Sequence, residues 1–97
     1  MADKQTILAT LKSVKPSLEK KYGVKSLALF GSYSRNEANP YKSDVDVMVD
    51  FSQPIGLAFV DLADELELLL NLKVDLVSRN GIKPKYFTVI EPDLIYV

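Results

Sequence analysis

With 97 residues and a formal charge of −1 at neutral pH, the chain is sized for one domain (1–97). It lacks the basic face that broad, sequence-independent nucleic-acid binding requires. It has no cysteine and no histidine, which excludes disulfide frameworks, thiolate or imidazole zinc sites and Ser-His-Asp catalysis. Acid–base or metal chemistry must therefore rest on carboxylates. No stretch is apolar for long enough to span a bilayer, and the Met1-Ala2-Asp3-Lys4 start carries no apolar signal core, so a cytoplasmic setting is expected.

Asp3 reads as the N-cap of a first helix, whose Ile7, Leu8, Leu11 and Val14 recur at helical spacing. Pro16 is expected to break or kink that helix, or to open a second turn at its first position. Leu18 and Tyr22 continue the apolar face, and Gly23 reads as the stop. The first strand is predicted over Ser26–Phe30 and a short helix from Ser32. Residues 36–43 (Asn-Glu-Ala-Asn-Pro-Tyr-Lys-Ser) are turn formers. A second strand is predicted over Asp44–Phe51, with punctuation at Pro54 and Gly56. An amphipathic helix over Leu57–Leu70 should turn its leucines to the sheet and Asp61, Asp64, Glu65 and Glu67 mostly to solvent. Lys73–Ser78 reads as the third strand, Asn80-Gly81 as a turn and Pro84–Ile90 as a short helix. Leu94–Val97 reads as a last edge strand or an interface segment. Alternating helices and strands predict an α/β (α+β) fold, a small mixed sheet of three to four strands flanked by helices.

The chemistry concentrates in Gly31-Ser32-Tyr33-Ser34-Arg35 and Ser43-Asp44-Val45-Asp46-Val47. Residues i and i+2 of a strand share a face, about 6–7 Å apart. Asp44 and Asp46 can thus converge on one point, where a hard divalent cation would sit among oxygen ligands. Strands disfavour aspartate, so two on one face call for a compensating partner, which two magnesium ions would provide. The plain alternative makes Asp44 a loop-end cap and Asp46 an exposed strand residue. Gly31 lets a phosphate approach the backbone, and Ser32 adds a hydroxyl and an N–H donor, unless the pair is an ordinary strand-ending turn. Arg35, about one helical turn past Ser32, either reaches the same pocket or pairs with Glu37. Lys42 is a loop cation near the phosphates at most. Tyr33 and Tyr41 are candidates to stack on a base. Asp75 interrupts another apolar strand and joins the cluster if that strand neighbours the second; otherwise it is an edge-strand acid. Asp50 reads as a surface residue.

A hydrophobic strand ending in Phe30-Gly31-Ser32, an arginine at 35, a polar loop and then Asp44-Val45-Asp46 resembles the minimal nucleotidyltransferase (MNT) domains of the DNA polymerase β-like superfamily. The resemblance covers nearly the whole chain and extends to the antitoxins of HEPN/MNT toxin–antitoxin pairs (the MntA type). The loop from Tyr33 to Ser43 is one residue longer than the family's commonest spacing. The resemblance implies two Mg²⁺ on Asp44, Asp46 and Asp75, with Asp75 as the third carboxylate that helps deprotonate an acceptor hydroxyl. ATP would be gripped by Gly31, Ser32 and Arg35. It implies AMP transfer to a hydroxyl of a partner protein, in this family an all-helical HEPN ribonuclease toxin. The short segment after the third strand offers no dedicated acceptor pocket, so the acceptor surface is expected from a partner, in a hetero-oligomer or a homodimer. Two alternatives stand beside this: a non-catalytic antitoxin that neutralises by binding, and a nucleotidyltransferase acting on a small molecule.

Overall fold

The fold is given by a computed structural model, which describes residues 3–97. Helix α1 spans Lys4–Tyr22. The Asp3 carboxylate accepts from the N–H of Thr6 at 2.9 Å, and Gly23 ends the helix in a left-handed conformation with its N–H donating to the Glu19 carbonyl. Of the alternatives the sequence left for Pro16, a break is not what occurs: the helix runs on through it. It sits on the exposed side, as does Lys12, whose carbonyl loses its helical partner there. Ile7 and Leu11 before the proline and Leu18 after it are fully buried. At about 1.5–3 kcal/mol each, their burial outweighs a proline cost of about 3 kcal/mol.

Four strands follow the order β3-β2-β1-β4: β1 (Val24–Phe30), β2 (Val45–Phe51), β3 (Val74–Ser78) and β4 (Ile95–Tyr96). The sheet is mixed, as predicted. β1 pairs antiparallel with β2 and β4, while β2 and β3 are parallel across helix α3 (Ala58–Leu70). Short helix α2 (Gly31–Ser34) follows β1 directly. Helix α4 (Pro84–Ile90) lies between 3₁₀ turns at Arg79–Gly81 and Glu91–Asp93.

Strand alternation sorts the core into two layers. Leu27 and Leu29 of β1 and Val45, Val47 and Val49 of β2 face α1 and α3, where they meet Ile7, Leu11, Leu62 and Leu66. On the opposite face, Ala28, Phe30 and Met48 form a smaller cluster covered by Val77, Ile82, Phe87, Ile90 and Leu94. Glu65 and Glu67 are only half-exposed and carry structural bonds. Glu65 accepts from Lys21 Nζ (2.7 Å) and the Tyr22 hydroxyl (2.8 Å), joining α3 to α1. Glu67 accepts from the Val74 N–H at 2.9 Å and so fixes the start of β3. Among the described residues no helix is long and apolar enough to cross a membrane.

Candidate active site

Because β2 alternates and its valines fill the main core, Asp46 must face the thinner side of the sheet. Its register partners are Phe30 on β1 and Asp75 on β3. Parallel neighbours in register present their side chains to the same face, so Asp75 joins Asp46, as the sequence allowed. Asp44 immediately precedes β2 with the parity of Asp46, and is exposed. The strand predicted from Asp44 starts one residue later, at Val45, whose N–H donates to the Lys73 carbonyl at 2.8 Å.

The neighbouring carboxylates act on Asp46. The Asp46 carboxyl is raised to about 6, first by burial, then by the charges of Asp75 and Asp44, while the Arg35 guanidinium pulls the other way. Among the described residues no three acidic side chains already stand in metal-ligand geometry. The donor set nevertheless suits a hard divalent cation: oxygen ligands only, with mutual repulsion that such an ion would relieve. Gly31 closes the site from below. It has φ +75°, and a Cβ there would stand 2.0 Å from Asp46 Oδ2. Glycine is therefore required twice over, for its backbone angle and for the space the carboxylate occupies.

Helix α2 begins at that glycine, one residue earlier than predicted. Phe30 provides no side-chain cap for the N–H groups of this first turn. Arg35 closes α2, its N–H donating to the Gly31 carbonyl at 3.1 Å. Its guanidinium is ion-paired: Nε to Glu37 at 3.3 Å, as one reading of the sequence had it, and Nη1 to Asp93 at 2.7 Å, which no sequence signal indicated. These pairs hold its pKa above the ordinary value.

Tyr33 is not available to stack on a base. It is buried in the main core, and its hydroxyl has no hydrogen-bond partner among the described residues. Tyr41 stands 90% exposed in the loop, where the Asn39 side chain and Ser43 organise the turn. Lys42 is exposed in the same loop. Asp50 is half-buried, its carboxylate accepting from the Phe51 N–H, and lies further along β2 from the acidic cluster. Beside Asp75 the thin face opens into a mostly apolar cleft of about 340 Å³, bordered by Phe30, Val77, Ile82, Tyr86 and Ile90. Sequence periodicity could not place this cleft, because its walls come from three separate segments.

The family described as nucleotidyltransferase domain matches residues 11–96. The chain belongs to this family. The nucleotidyltransferase is 51% identical, over 90% of each chain, to a Methanocaldococcus jannaschii protein provisionally named a protein adenylyltransferase. It is 38% identical to the protein adenylyltransferase MntA of Thermococcus cleftensis, over 96% of this chain and 94% of that one. A solved structure provisionally described as a minimal nucleotidyltransferase has a TM-score of 0.80 at 33% identity, covering 97% of this chain and 95% of its own. A chain of the tri-AMPylated Shewanella oneidensis HEPN toxin in complex with MNT antitoxin shares the fold, with a TM-score of 0.66 at 23% identity over 96% and 70% of the two chains. The architecture of this nucleotidyltransferase is thus that of the minimal members, as its Gly31-Ser32 and Asp44/Asp46 pattern implied.

Proposed function

We propose that this enzyme transfers AMP from ATP to a hydroxyl of a partner protein, and that the partner is a HEPN-type toxin silenced by the modification. The observation that carries this reading is the Asp46 carboxyl packed against Gly31 with Asp75 in register beside it. That arrangement supports reading Gly31 as a backbone that phosphate can approach beside a pair of carboxylates. Similarity to named protein adenylyltransferases supports the acceptor class, and the toxin–antitoxin complex that shares the fold supports the partner.

Asp44, Asp46 and Asp75 would hold the two Mg²⁺ ions, which when bound neutralise phosphate charge and acidify the acceptor hydroxyl. The backbone at Gly31 and Ser32 and the Ser32 hydroxyl grip the triphosphate. Arg35 offers its free guanidinium N–H groups to phosphate oxygens. Asp75, on the side of the apolar cleft, accepts the proton of the acceptor hydroxyl. The oxygen then bonds to the α-phosphorus as the bond to the bridging oxygen breaks, and pyrophosphate departs with the electron pair. Positioning and charge stabilisation supply the rate.

The test is the intact mass of a HEPN-type partner after incubation with this protein, ATP and Mg²⁺, with Asp44→Asn/Asp46→Asn in parallel. Steps of one AMP unit that vanish with the double mutant are expected. A partner that binds but gains no mass would replace this reading with neutralisation by binding. A partner that neither binds nor gains mass would point to a small-molecule acceptor.

A further inference from the structure

We infer that Asp93, far from the motif in sequence, is a positioning residue that aims the Arg35 guanidinium at the nucleotide phosphates. The inference rests on the nucleotidyl-transfer reading above. Arg35 is 43% exposed and carries a long, many-rotamer side chain, so unaided it would lose conformational entropy on gripping a phosphate. Asp93 removes most of that freedom beforehand by taking one Nη1 hydrogen at 2.7 Å. Glu37 takes the Nε edge at 3.3 Å, which leaves the remaining Nη hydrogens for a ligand.

Asp93 is suited to this because it is itself immobilised. Its carbonyl accepts the hydroxyl of the buried Ser34, so the 3₁₀ turn Glu91–Asp93 is fastened to α2, the helix that Arg35 closes. Leu94, the next residue, packs with Phe30 and Met48 under the acidic face. The Asp93 side chain is only 21% exposed. A carboxylate fixed in this way orients the guanidinium; one on a free loop would compete with the phosphates for it. The result is a chain of contacts that ties the C-terminal segment through Ser34 and Arg35 to α2, the helix that Gly31 opens.

The experiment measures binding of the non-hydrolysable analogue AMP-PNP with Mg²⁺ by calorimetry to the wild type, Asp93→Ala, Asp93→Glu, Arg35→Ala and Arg35→Ala/Asp93→Ala. Thermal melts check folding, and Asp93→Asn replaces the alanine variant if that one does not fold. Asp93→Ala should weaken binding about five-fold, and Asp93→Glu should restore most of it. Asp93→Ala should add nothing in the Arg35→Ala background. In turnover the same loss should appear in KM for ATP with kcat nearly unchanged. Unchanged or tighter binding by Asp93→Ala, or a full five-fold loss without Arg35, overturns the inference while leaving the enzyme reading in place. Failure of the wild type itself to bind AMP-PNP overturns both, and is recognised because no variant is needed to see it.

Discussion

Two requirements meet at Gly31. Its backbone is left-handed, and the space of its missing side chain is filled by Asp46 Oδ2. Gly31→Ala is expected to cost about 1–2 kcal/mol of stability for the backbone angle alone. Because the carboxylate must also move aside, it should reduce AMP transfer by about 100-fold. A variant that lost stability but kept its turnover would show that Asp46 works from another position. Asp46 has its own signature. Its folded pKa of about 6 lies above the ordinary carboxyl value of 3.8, so the folded state holds the proton more tightly. Its favourable contribution is fully present below about pH 3.8 and is lost as pH rises through about 6. In a chelator, Asp46→Asn should therefore melt higher than the wild type at pH 7, with the gap closing as the pH falls below about 4. Mg²⁺ should raise the wild-type midpoint and leave the variant's nearly unmoved. Parallel melting curves across that pH range would show that burial and the neighbouring charges do not raise the Asp46 carboxyl.

Among the elements, those governed by local pattern were legible in the sequence, and those governed by distant contacts were not. Pro84–Ile90 and the Gly23 stop stand where proline at a first position and glycine after a last turn put them. The strands followed from their apolar periodicity, and so did the existence of α3, although only Leu62, Leu66 and Leu70 turn inward while Leu57, Leu68 and Leu69 are exposed. Asp44, Asp46 and Asp75 were legible as candidates because strand parity is a local property, whereas their meeting depended on β2 and β3 being neighbours. A break at Pro16 did not occur because the burial of Ile7, Leu11 and Leu18 overrides a local breaker. The Arg35–Asp93 pair spans 58 residues and has no periodic trace. Tyr33 was misjudged since α2 is too short to declare a buried face, and its side chain turns into the α1 layer. That burial leaves the hydroxyl unpartnered, so Tyr33→Phe should be neutral or stabilising by up to about 1 kcal/mol in urea unfolding. A loss larger than about 1 kcal/mol would mean that the hydroxyl is satisfied after all.

At the scale of the whole molecule, the two faces of the sheet are unequal, and that inequality decides where an acceptor can enter. Helices α1 and α3 close one face over the main core. The other carries the acidic cluster and, among the described residues, is covered by short α4 and the turns that flank it. The cleft beside Asp75 opens there, with Tyr86 at its wall 66% exposed and Val89 of the same helix also outward. Triphosphate held at Gly31 and Ser32 would occupy the α2 side, leaving the Asp75 side for the incoming hydroxyl. If the acceptor is a protein, its surface must then pass over α4, and aromatic anchors of this kind carry much of the binding energy in interfaces. Tyr86→Asp should therefore leave the melting point and AMP-PNP affinity near wild type while cutting the rate of partner modification by about ten-fold. Measuring that rate at low partner concentration separates the possibilities. An unchanged rate would move the docking surface away from α4. A parallel fall in nucleotide affinity would instead make the cleft a nucleotide subsite and return the acceptor to the α2 side.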